Sequence, residues 1–160
     1  MSDPEEVVVS AETLERMENE LLELTTTGRD QMSERIQRAR EFGDIRENAE
    51  YDAAKDAQGL MEARIRRLEH MIKNAVVRET PAEADVAKPG LVVTIKEEGE
   101  EETDDYLFAS SPEDRMPGVR TITTASPVGS AIVGKAIGET VEVKAPAGTF
   151  RVTIVALRPV

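Results

Sequence analysis

The sequence predicts an α+β protein in two parts, a long antiparallel helical hairpin followed by a small α+β domain. Three observations predict it. From Ser10 to about Ala75 there is no proline, and apolar residues recur at helical spacing. From Pro81 onward come prolines, glycines and β-branched runs. Pro81-Ala82-Glu83-Ala84-Asp85 between them reads as a linker, so the expected domains are residues 1–80 and 81–160.

In the first part, Leu14, Met17, Leu21 and Leu24 form one stripe, extended by Ile36 and Ala39 after a weak patch. Ser10 is the expected N-cap, with Thr13 where a capping box would place Glu or Gln. The second stripe runs Ala54, Ala57, Met61, Ile65, Leu68, Ile72, Ala75, in the steps of three and four of a coiled-coil seam. Between the stripes lies Phe42-Gly43-Asp44-Ile45-Arg46-Glu47-Asn48, where Gly43 can end one helix and Asp44 can cap the next. So short a connection makes the helices antiparallel. At ~1.5 Å per residue, helices of about thirty residues give a hairpin about 45 Å long. The seam is weakest at Thr25-Thr26-Thr27-Gly28, where a kink is expected. Near the turn it shrinks to Ala39, Ala53, Ala54 and Ala57, which predicts a slim tip.

In the second part, strands are expected at Leu91–Lys96, Tyr106–Ala109, Val119–Thr124, Val141–Lys144 and Arg151–Leu157. A short helix fits Ser126–Val133, with Ser126 as N-cap, Pro127 as first residue and Gly134 at C′. Pro146-Ala147-Gly148 suits the last hairpin turn, and the acidic run Glu97–Asp105 an exposed loop.

Composition narrows the function. The net charge of −12 makes free nucleic acid a poor partner, so independent DNA binding is not expected; a basic protein surface or a metal ion is a better one. There is no cysteine, hence no disulfide or thiolate metal site. No apolar run is long enough to span a bilayer, and the acidic start lacks the features of a signal peptide, so no membrane partner and a cytoplasmic location are expected. Gly129, Gly134 and Gly138 do not match a dinucleotide or P-loop spacing. His70, the only histidine, is read as structural.

The residues that could carry chemistry are Asp44, Glu47 and Glu50, at the expected tip and three apart. Such spacing can bring carboxylates together on the first turn of a helix, where a divalent cation would relieve their repulsion. Hard oxygen donors suit Mg²⁺, which takes only one or two protein carboxylates and needs further ligands from elsewhere. Spacing alone favours the simpler reading, acidic N-terminal capping. Arg40, Arg46 and Lys55 flank the tip, with Arg35 and Arg38 behind. They are either a solvated face or a grip on nucleic acid already held by another molecule. Arg64 lies on the helix surface or beside the seam. Tyr51 packs at the tip or stacks on a base.

The run Ala39-Arg40-Glu41-Phe42-Gly43-Asp44-Ile45-Arg46-Glu47-Asn48-Ala49-Glu50-Tyr51 resembles the signature of the GreA/GreB family, GreA more than GreB. The likeness continues through Ala53-Ala54-Lys55, Gln58-Gly59, Glu62-Ala63-Arg64-Ile65 and Asn74-Ala75-Val76-Val77. It resumes at Ser126–Lys135, Gly138-Glu139-Thr140-Val141 and Pro146-Ala147-Gly148. The resemblance implies an N-terminal coiled coil and an FKBP-like C-terminal domain that binds bacterial RNA polymerase at its secondary channel. It implies a transcript cleavage factor, not itself an enzyme. Asp44 and Glu47 match the catalytic tip acids and would share Mg²⁺ with the polymerase; the isolated protein would not be expected to hold the ion. Arg40, Arg46 and Lys55 fall where the family places basic residues near the RNA 3′ end. Phe42 and Asp52 stand where His is common, and Asp30 where Pro is frequent. Three rival readings are a non-cleaving family member that blocks the channel, an FKBP-like peptidyl-prolyl isomerase or chaperone, and a plain coiled-coil scaffold.

Overall fold

The computed structural model describes residues 6–41 and 45–160, apart from the side chains of 45–48. The chain forms two compact units, Leu14–Ala75 and Met1–Thr13 with Val76–Val160, so the residues before Leu14 group with the C-terminal part.

The helical unit contains α1 (Ala11–Glu23), a π-helical turn (Leu24–Gly28), α2 (Arg29–Glu41) and α3 (Ile45–Lys73). Its seam buries Met17, Ile36, Ala39, Ala54, Ile65, Leu68 and Met71. Met71, not the expected Ile72, is the buried residue at the end of α3. The expected irregularity at Thr25–Gly28 is the π turn. Thr25 Oγ1 donates to Leu21 O at 2.8 Å and Thr26 Oγ1 to Leu22 O at 2.6 Å, so hydroxyls compete with the helical ladder. The seam stays closed here because Met61 packs over Gly28, its Sδ 3.4 Å from where a Cβ would stand.

Two forked ion pairs bracket the turn. Arg64 donates from Nε and Nη2 to both oxygens of Glu20, each at 2.8 Å. Arg29 donates in the same way to Glu62 at 3.0 Å. Hydrogen bonding from Arg29 holds the Glu62 carboxyl below its ordinary pKa. Partner numbers fall on one helix as they rise on the other, which establishes the antiparallel register. Among the described residues no helix is long and apolar enough to cross a membrane.

The other unit has a two-stranded sheet, β1 (Val7–Val9) with β2 (Ala75–Val77), neither expected from the sequence. Its main sheet contains β3 (Leu91–Glu97), β4 (Asp104–Ala109), β5 (Arg120–Thr123), β6 (Thr140–Ala145) and β7 (Gly148–Pro159), in the order β5-β4-β3-β7-β6. All neighbours are antiparallel except β4 and β5, and a bulge lies between Thr94 and Ile95. Leu91, Val93, Ile95, Phe108, Val143, Val152 and Ile154 build the core with Ile132 of α4 (Pro127–Ile132). Ser126 caps α4 by accepting from Gly129 N at 3.1 Å, and Gly134 follows the helix at φ 77°, both as expected. Gly129 has a steric reason: a Cβ there would lie 1.8 Å from Thr123 O.

Parallel pairing of β4 and β5 requires a crossover, and residues 110–119 supply it. This crossover carries three buried polar residues, Ser111, Glu113 and Asp114. Asp114 Oδ1 accepts from Ser10 N at 3.0 Å and Ser10 Oγ at 3.2 Å. Its Oδ2 accepts from Arg78 Nη2 at 3.2 Å, and its carbonyl from Thr121 Oγ1 at 2.8 Å. Ser10 Oγ in turn accepts from Thr13 N at 3.2 Å, as an N-cap should. Arg78 N donates to Val9 O at 2.8 Å. The Arg78 guanidinium also needs Gly90, where a Cβ would fall 2.3 Å from Nη1.

Two predictions follow from this packing. Asp114→Ala leaves the mostly buried Arg78 charge without its carboxylate and should cost about 3–5 kcal/mol in denaturant unfolding. Gly28→Ala should instead raise stability by up to ~1 kcal/mol, because a flexible thioether is the only side chain besides Leu24 that its Cβ would meet. Thermal melts of that variant check it.

Candidate functional site at the hairpin tip

Of the expected acids, Asp44 lies outside the described residues, with Phe42 and Gly43. Glu47 belongs to the first turn of α3, but its side chain and that of Arg46 also lie outside them. The helix limits still locate the signature. The last residue of α2 is Glu41 and the first of α3 is Ile45, so Glu47 is the third residue of α3. The remaining predicted residues are fully described. Glu50, Arg40 and Lys55 are exposed, and Lys55 Nζ donates to Gln58 Oε1 at 2.8 Å. Behind the tip, Arg35, Arg38, Ala39, Glu50 and Ala53 line a shallow groove.

Tyr51 sits one turn into α3 and faces α2. The Arg40 guanidinium carbon is 5.7 Å from its ring centroid, within cation–π range. Hydrogen bonding from Arg40 is the main reason the Tyr51 phenol is held below its ordinary pKa; the nearby charges of Arg40 and Lys55 act in the same direction. Sequence reasoning named both residues but not their pairing. Residues 40 and 51 lie opposite one another in the register that Arg29 and Glu62 set between α2 and α3.

Arg64, left open between surface and seam, lies beside the seam and is tied to Glu20. His70 is exposed, and its carbonyl accepts from Asn74 Nδ2 at 2.8 Å. Among the described residues no group of three or more His, Cys, Asp or Glu side chains could hold a metal ion. The aromatics of the second unit are committed elsewhere. Phe108 is in the core, Phe150 packs against it, and Tyr106 pairs with Arg120, whose guanidinium carbon is 5.0 Å from the ring centroid.

Comparison with known proteins gives this geometry its context. Residues 7–77 match the family model described as transcription elongation factor, N-terminal, and residues 81–159 that described as transcription elongation factor, GreA/GreB, C-term. The chain belongs to the GreA/GreB family of transcription elongation factors. Among its relatives, transcription elongation factor GreA of Bacillus cytotoxicus is 43% identical over 153 residues, 94% of this chain and 95% of that protein. GreA of Acetivibrio thermocellus is 41% identical over 160 residues, 99% of each. The crystal structure of GreA factor homolog 1 from Thermus thermophilus aligns with a TM-score of 0.43 at 25% identity, covering 96% of this chain and 99% of that one. For a Gre factor, a helical hairpin whose signature run spans the turn is the feature of interest.

The Arg40–Tyr51 contact makes one spectroscopic prediction. In Tyr106→Phe, which leaves Tyr51 as the sole tyrosine, phenolate absorbance should rise at a pH below the ordinary value of about 10. Adding Arg40→Ala should move that transition back up.

Proposed function

We propose that this Gre factor stimulates the cleavage of backtracked RNA by bacterial RNA polymerase, and that Asp44 and Glu47 are the residues it brings to the polymerase active site. The observation that carries the reading is that the signature run Ala39–Tyr51 takes in the end of α2 and the start of α3, two packed helices. The seam behind it narrows to the buried alanines Ala39 and Ala54, which suits passage along the polymerase's secondary channel.

The chemistry of the donor set fits a shared Mg²⁺. Two carboxylates are too few to enclose the ion but enough to complete a site whose other oxygen ligands belong to the polymerase. When bound, such an ion supplies charge neutralisation at the scissile phosphate and a more acidic water. Asp44 and Glu47 would hold it and orient the attacking water, adding electrostatic stabilisation to an active site that belongs to the polymerase. In this reading the factor is not itself an enzyme. Arg40, Arg46 and Lys55 would contact the phosphates near the RNA 3′ end. The net charge of −12 makes capture of free RNA unfavourable, so these cations act on a strand the polymerase already holds.

The test is release of short RNA from the 3′ end of a stalled, backtracked elongation complex. Asp44→Ala or Glu47→Ala should lower the stimulated rate about 10²–10³-fold, while the concentration for half-maximal polymerase binding stays unchanged. Cleavage at the wild-type rate by either variant would overturn the assignment, and wild-type protein that blocks synthesis without releasing RNA would favour the channel-blocking alternative.

A further inference from the structure

The chain's arginines fall into distinct electrostatic settings. Arg29, Arg64 and Arg78 are each closed by a carboxylate, from Glu62, Glu20 and Asp114 respectively. Arg40 is held differently. Among the described residues, its partner across the helix pair is the ring of Tyr51. A carboxylate partner would neutralise the guanidinium. A phenol fixes it and leaves its positive charge available.

We propose that Tyr51 is a positioning residue for Arg40, holding the guanidinium as a preformed clamp for an RNA phosphate beside the hairpin tip. This rests on the reading of the tip given above and adds a role for a residue outside the acidic pair and the basic flank.

An exposed arginine samples many rotamers and loses that freedom when it binds a phosphate. Arg40 is the penultimate residue of α2, exposed at the narrow end of the hairpin. Tyr51 is partly buried and anchored in the middle of a helical turn, so its ring is the more fixed member of the pair. With the guanidinium over the ring face, part of the ordering is complete before RNA arrives. The planar guanidinium keeps further N–H donors free for phosphate oxygens. The other tyrosine supports the chemistry of the pairing. Arg120, which also lies 3.8 Å from Asp104, stacks on Tyr106 and donates to its hydroxyl from Nη2 at 3.0 Å, so a tyrosine ring receives a guanidinium twice among the described residues.

The experiment is a double-mutant cycle in the RNA-release assay, with factor concentration varied for wild type, Tyr51→Ala, Tyr51→Phe, Arg40→Ala and the Arg40→Ala/Tyr51→Ala pair. Circular dichroism of each variant checks that helix content is retained. Tyr51→Ala should raise the half-maximal concentration about two- to fivefold and leave the saturating rate in place. Tyr51→Phe, which keeps the ring, should recover part of the loss. In the Arg40→Ala background, removal of Tyr51 should change nothing further, because there is no guanidinium left to position. Multiplying effects, or a Tyr51→Ala variant indistinguishable from wild type, would overturn the proposal while leaving the tip acids in place. Wild-type protein that releases no RNA would overturn the tip reading and this inference together.

Discussion

The buried carboxylate of Asp114 is the contact on which the globular unit's connections depend. It gathers the residue before α1 and the residue after β2 around one crossover segment, whose Asp114 carbonyl also accepts from Thr121. Ser10 and Arg78 are far from Asp114 in sequence, by 104 and 36 positions. Asp114 is almost fully enclosed, so its charge is tolerable only because Arg78 and Ser10 surround it. Gly90 belongs to the same arrangement, since the space it leaves is occupied by the arginine that balances the carboxylate. One Arg78 nitrogen, Nε, remains buried without a partner, which shows how tightly the site is closed.

The hairpin solves a different problem. Its seam is thin, built from alanines near the tip and interrupted by a π turn. Packing at the interruption is maintained by Met61 against Gly28, and register by forked Arg–Glu pairs on either side. Forked geometry matters here. An arginine that meets both carboxylate oxygens fixes angle as well as distance, which a lysine pair would not do. The result is a narrow helical pair that keeps its register where the apolar seam is weakest.

Much of this was legible in the sequence. The five main strands, the capped helix α4 and both apolar stripes came from patterns that act locally: β-branched runs, apolar steps of three and four, Ser126-Pro127 at a helix start, glycine after a helix end. The strands β1 and β2 were missed because each is three residues long, and Val7–Val9 is a strand only by pairing with residues nearly seventy positions away. Met71 displaced Ile72 from the seam for a similar reason, since a helix's orientation at its end depends on what it meets. Asp114 gave no local signal at all. Its role is set by partners brought together through the crossover, and in the sequence it is one acid among many. For the tip, the resemblance pointed to Asp44 and Glu47 from the sequence alone, whereas the link between Arg40 and Tyr51 needed the helices side by side.

The N-cap of α1 has a consequence for how the chain matures. Ser10 and Asp114 are separated by 104 positions, whereas Ser10 and Thr13 are separated by only three. Contacts between near neighbours close quickly, and those across long loops wait. On the ribosome the hairpin can therefore wind and zip from its own turn while its first residue is held only by its neighbour. Attachment of Ser10 to Asp114 comes later, once the crossover segment has emerged, so the helical pair forms before the long-range contact of its N-cap.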